Sequence, residues 1–228
     1  MPAKNVVKQY VEEGYYHIYN RGVEKRSIFQ DQQDYSVFIS YLKTYLTPKD
    51  SVSLMEQLAN PRTPIPERDG LRKQIRMNNF ADDITLLAYC LMPNHFHLLV
   101  KQKSAGAIDK FMNSLGTRYT MYFNKKYKRV GALYQGTYKA VLVQTDAQLL
   151  ELSRYIHKQS FDKYSLSGQG QPSSYPAYLG SHQGAWVKPD EILAFFSQTN
   201  PKLSYKSFVG QTDNNEISNL IYPLVIEE

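Results

Sequence analysis

The chain has 228 residues, 42% of them hydrophobic and 21% charged, with a formal net charge of +6. That length and apolar content give a folded domain with a full core and exclude a disordered chain. No run approaches the roughly 18 apolar residues of a membrane span, and the basic balance admits a polyanionic partner without demanding one.

Residues 1–14 read as a polar lead-in, MPAKNVVKQYVEEG, without the apolar segment of a secretion signal. A reducing cytoplasm is therefore the expected compartment. Tyr15 to Gly22 reads as a first strand ending in a turn. His17 on it reads as a half-exposed strand histidine, with metal ligation as the alternative. From Asp31 to Leu46 the apolar residues Tyr35, Phe38, Ile39, Leu42 and Tyr45 fall at helical spacing, and Pro48 marks the end. Residues 47–83 turn polar and carry Pro48, Pro61, Pro64 and Pro66. They read as an insertion with one short helix around Ser53–Ala59.

The apolar run from Ile84 to Val100 reads as two buried strands joined at Pro93-Asn94. Its Cys90 is the single cysteine, so no internal disulfide exists, and its place marks an inert core thiol. Ala105 to Tyr127 has Ile108, Phe111, Met112, Leu115, Tyr119, Tyr122 and Phe123 at helical spacing. Arg118, Lys125, Lys126, Lys128 and Arg129 gather towards its end, either complementing the helix dipole or forming a phosphate-binding surface. Tyr138 to Gln144 alternates as a strand. Thr145 and Gln148 then form a capping-box pattern before a helix with Leu149, Leu152 and Ile156 on its stripe. Beyond Phe161 a loop rich in Ser, Gly, Gln and Pro runs to residue 176. A short helix, Ile192 to Phe196, and a weakly patterned tail follow.

The order strand, helix, strand, strand, helix, strand, helix predicts an α+β fold, a ferredoxin-like antiparallel sheet with helices packed on it. The core is expected over 15–163, including the insertion, with a C-terminal helical appendage over 164–228.

The chemistry concentrates in two stretches. In His95-Phe96-His97 the histidines share one face of a strand and Phe96 takes the other. Taken alone, a pair of this kind reads first as one core histidine and one chance neighbour. The second stretch is Arg154-Tyr155-Ile156-His157-Lys158-Gln159. Tyr155 and Gln159 lie about 40° apart around a helix, on the shoulder of its apolar stripe. Two imidazoles and an amide oxygen suit Mg²⁺ or Mn²⁺ with open positions for substrate oxygens better than a closed zinc site. A phenol beside such an ion is a candidate nucleophile towards phosphorus.

The blocks YHIYNRG, LMPNHFHLLV, RYTMYFNKKY, GALYQGTYKA, RYIHKQ and PSSYPAYLG, in this order over roughly residues 15–180, resemble the single-tyrosine HUH transposases, and most the REP-associated tyrosine branch. The chain departs from that branch at Gln159-Ser160, where Asn-Pro is usual. By position, the resemblance makes His95, His97 and Gln159 the metal ligands and Tyr155 the nucleophile. It implies cleavage and rejoining of single-stranded, hairpin-flanked DNA through a 5′-phosphotyrosine and a free 3′-OH. Arg21, Arg118, Lys125, Lys126, Lys128 and Arg129 become candidate DNA contacts, and a homodimer is an admissible assembly. The alternatives are a non-catalytic single-strand nucleic-acid binder and a nickase of the relaxase or replication-initiator type.

Overall fold

The computed structural model describes residues 10–161, 170–181, 184–212 and 219–225. Four strands, β1 (Tyr15–Arg21), β2 (Ile84–Met92), β3 (His95–Gln102) and β4 (Lys139–Val143), form one sheet in the order β2-β3-β1-β4. Every neighbouring pair is antiparallel. With α1 (Gln32–Leu46) between β1 and β2 and α4 (Ala107–Lys126) between β3 and β4, this is the expected ferredoxin-like arrangement.

The sheet has a core on each face. Tyr16, Ile18, Leu86, Phe96, Leu98 and Val100 pack on one side against α1 and α4. Leu87, Ala88, Cys90, Met92, Leu99 and Val143 pack on the other against α5 (Asp146–Lys158). Strand pleating explains the division, since successive side chains alternate between faces. A register shift between Leu86 and Ala88 breaks the alternation once, so Leu87 and Ala88 both face α5. Cys90 is buried there, as its sequence position suggests.

Local signals fix the helix ends. Asp31 caps α1 by accepting from the Asp34 backbone N–H, and Thr145 caps α5 by accepting from that of Gln148. The Gln148 side chain reaches back to the Gln144 backbone N–H at 2.9 Å, one residue before the cap. Residues 47–83 hold two helices where one was expected, α2 (Ser51–Ala59) and α3 (Ile65–Arg76). Pro66 stands in the first turn of α3, where its missing N–H costs no hydrogen bond.

The described residues after 169 (170–181, 184–212 and 219–225) are built onto the core. Leu91 N donates to Pro172 O and Lys188 N to Leu86 O, so these segments cover the free edge of β2. Three short helices follow, α6 (Tyr175–Tyr178), α7 (Asp190–Leu193) and α8 (Tyr205–Val209). The expected helix at 192–196 thus begins and ends earlier. Tyr178, Ile192, Tyr205, Val209 and Leu224 complete the core around α5. The buried His157 lies at its centre, with Nδ1 2.7 Å from Tyr205 Oη and Nε2 2.7 Å from Ser174 Oγ. Among the described residues no helix is long and apolar enough to cross a membrane.

Candidate active site

The β2–β3 hairpin carries the histidine pair, and its turn is held firmly. Ile28 N and Phe29 N both donate to Pro93 O, and Gly22 N donates to Asn94 O at 2.8 Å. The last of these bonds needs glycine in the turn after β1. A Cβ on residue 22 would stand 2.2 Å from the Arg26 carbonyl oxygen, inside any real contact distance. The end of β1 and the start of β3 are thereby locked together, with Arg21 opposite His95 and Tyr19 opposite His97.

His95 and His97 share the face turned to α5, and their rings meet edge to face at 4.9 Å. The Tyr155 ring stands edge to face with His97, at 5.6 Å between centroids. Sheet and helix therefore bring together the two sequence stretches that carried the chemistry. Tyr155 is half-buried, as is Gln159 at the C-terminal end of the same helix.

All three site-side histidines are held neutral. Burial pushes His95 down to about 4, helped by the nearby Arg21 guanidinium and His17. Burial holds His97 well below the ordinary 6.5, with His95, His17 and Arg21 adding to it. His17 is pushed down to about 4 by burial. It is fully buried rather than half-exposed, because the tail covers the β1 face on which it lies. Its Nε2 is 2.9 Å from His97 Nδ1 and its Nδ1 is 2.5 Å from Leu224 O. Both ring nitrogens are engaged in this arrangement, so the ring offers no lone pair for a metal.

A neutral imidazole ligates through a bare nitrogen while the other nitrogen donates a hydrogen bond. His95 Nδ1 lies 2.6 Å from Asn94 Oδ1, which accepts and leaves Nε2 bare. His97 Nε2 is buried and has no hydrogen-bond partner among the described residues. An orphaned buried acceptor of this kind fits a metal ligand. Among the described residues no group of three or more His, Cys, Asp or Glu forms a metal cage. Two imidazoles with the Gln159 amide would leave open positions instead.

The cationic residues divide by environment. Arg21 is nearly buried at the end of β1, its Nε without a partner among the described residues. Lys126 is tied to Asp31 at 2.7 Å and to Asp34 at 2.8 Å. Arg118 lies over the Tyr41 ring at 3.9 Å. Lys125 and Lys128 are exposed. Arg129 lines a groove of about 490 Å³ with Arg26, Ser27, Gln30 and Pro93, beside the turn that leads into His95. Arg26, Asn94 and the His17–Leu224 contact escaped the sequence reading. No local pattern signals them; the parity of His17 with His97 on adjacent strands says only that those two rings share a face.

The family model described as "Transposase IS200 like" matches residues 65–159, a span that includes His95, His97, Tyr155 and Gln159. The chain is thus similar to IS200-like transposases across its candidate site. No curated protein matches it. Among solved structures, a REP-associated tyrosine transposase bound to a REP hairpin aligns over 87% of this chain and 94% of its own, with 11% identity and a TM-score of 0.45. A candidate transposase from Deinococcus radiodurans R1 aligns over 67% and 95%, with 16% identity and a TM-score of 0.28. The tRNA(His) guanylyltransferase of Saccharomyces cerevisiae aligns over 93% and 77%, with 9% identity and a TM-score of 0.33. At these identities and scores none of the three bears on an individual residue.

Proposed function

We propose, from the similarity of residues 65–159 to IS200-like transposases, that this chain is a transposase that cuts and rejoins single-stranded, hairpin-flanked DNA with Tyr155 as nucleophile. One observation carries the reading. The Tyr155 ring packs on His97, whose buried Nε2 has no partner among the described residues. A structural histidine has no need of a bare buried nitrogen, and leaving one costs about 1–3 kcal/mol.

His95, His97 and Gln159 would hold Mg²⁺ or Mn²⁺. Such an ion supplies Lewis-acid polarisation of a phosphate oxygen. The remaining work falls to the chain. Tyr155 Oη forms a bond to phosphorus as the bond from phosphorus to the 3′ oxygen breaks. The phenol proton leaves, and the 3′ oxygen takes one up. The product is a 5′-phosphotyrosine, which a 3′-OH attacks in the reverse sense to rejoin a strand without ATP. Arg21, with an unpartnered Nε beside His95, suits the negative charge that gathers on the phosphate. The groove between Arg26 and Arg129, with the exposed Lys125 and Lys128 near it in the chain, offers a path for the flanking backbone. Tyr155 reaches His97 of its own chain, so this pair needs no second copy.

A base-stacking binder of the RNA-recognition type is disfavoured. Both faces of the sheet are covered by packed helices, which leaves its tyrosines no open platform.

Peptide mapping of the trapped adduct tests the reading. Tyr155→Phe should keep fold and DNA binding and lose all covalent adduct. Tyr119→Phe and Tyr122→Phe should retain it, since Tyr119 is fully buried with its hydroxyl donating to Ile28 O and Tyr122 donates to Asp34. His95→Ala, His97→Ala or a chelator should abolish cleavage. DNA attached to a peptide lacking Tyr155, or full cleavage in chelator, would sink it.

A further inference from the structure

We propose that His17 is a positioning residue that fixes His97 in the tautomer with a bare Nε2, through a relay anchored on the backbone carbonyl of Leu224. The inference rests on the reading of His95 and His97 as a metal pair and adds what selects the ligating nitrogen.

The relay is solved from its far end. A carbonyl oxygen only accepts, so His17 Nδ1, 2.5 Å from Leu224 O, carries the ring hydrogen. A neutral His17 then has a bare Nε2. That nitrogen lies 2.9 Å from His97 Nδ1, and the two ring planes differ by 14°. The contact is a hydrogen bond only if His97 Nδ1 donates. His97 Nε2 is then the bare nitrogen, the same atom that is buried without a partner among the described residues.

The opposite assignment fails at each step. A cationic His17 would donate from both nitrogens, forcing His97 Nδ1 to accept and Nε2 to carry a hydrogen with no acceptor. Burial of His17 with 0% exposure excludes that charge. A bare His17 Nδ1 would set two acceptors against each other at 2.5 Å.

The relay gives the tail a task at the site. Leu224 lies 207 residues after His17, in a 3-10 turn that contacts β4. It supplies a main-chain acceptor that no side-chain substitution removes. His97 would meet a metal already in the right tautomer, with no proton rearrangement on binding.

Two variants test this, His17→Leu and His17→Gln. Leucine has no acceptor for His97 Nδ1–H, whereas the glutamine Oε1 can accept in place of the imidazole Nε2. Three quantities are read on metal-free protein and on Mn²⁺ titration. These are the His97 tautomer from imidazole ¹⁵N NMR, the Mn²⁺ affinity from electron paramagnetic resonance, and urea unfolding. Wild type should show His97 protonated at Nδ1. His17→Leu should add the Nε2–H form and weaken Mn²⁺ about 10–100-fold, the usual cost of losing a ligand's outer partner. His17→Gln should restore both to within a few-fold. Wild-type His97 protonated at Nε2, or a folded His17→Leu binding Mn²⁺ as tightly as wild type, overturns the relay. Should His17→Leu fail to fold, the wild-type spectrum and the His17→Gln titration still decide. Wild type with the Nδ1–H tautomer but no Mn²⁺ binding overturns instead the metal reading beneath it.

Discussion

Acid should unfold the metal-free protein through buried histidines, and His157 allows the effect to be measured one residue at a time. Burial pushes His157 down to about 3 and His17 down to about 4, from an ordinary value of 6.5. Protonation therefore favours the unfolded chain. The stabilisation is complete above pH 6.5, falls as the pH drops, and stops falling below the folded values. At pH 4.5 the unfolded chain is two units below its histidine value, so each neutral histidine costs about 2.5 kcal/mol relative to pH 7. The pair together removes about 5 kcal/mol, a third or more of a stability of about 5–15 kcal/mol. Urea unfolding at intervals from pH 7 to 4.5 gives the slope. His157→Gln keeps an amide between Tyr205 and Ser174 and cannot titrate. It will lose stability at every pH, but its slope between pH 4.5 and 6 should be shallower than wild type by one proton, about 1.4 kcal/mol per pH unit. Equal slopes would mean that His157 is not held neutral by burial, and the account of the core around α5 would fail.

Two further outcomes separate structural from functional charge. Asp34 has 0% exposure and accepts from Gln30 N, Tyr122, Lys126 and Tyr127, so Asp34→Ala should cost about 3 kcal/mol in urea unfolding, and a loss under 1 kcal/mol would refute its role as the joint between α1 and α4. The Lys125→Ala, Lys128→Ala, Arg129→Ala triple variant should flatten the salt dependence of single-strand binding by about 2 in log–log slope, about 0.7 per lost phosphate contact. Lys126→Ala, whose cation is already held by Asp31 and Asp34, should leave that slope unchanged and lower stability instead; the reverse pattern would exchange the two assignments.

What the sequence disclosed follows the range over which each signal acts. Strand alternation, the Thr145 cap and the apolar stripes of α1, α4 and α5 are local patterns, and each element formed close to its expected bounds. The α6 and α8 helices are four and five residues long, too short for a period to register, and pack into the core around α5, while α7 was expected only with shifted bounds. The site divides in the same way. His95 and His97 are legible because side-chain parity on one strand is a property of adjacent letters. Their meeting with Tyr155 follows once α5 docks by its stripe. The relay behind His97 is of another kind. His17 meets His97 only through the register of β1 on β3. Its other partner is a main-chain carbonyl, and every residue carries one. No residue type at position 224 could have announced it, because the backbone and not the side chain makes the bond. The atom that selects the ligating nitrogen is thus set by where the tail comes to rest, which is a property of the whole fold.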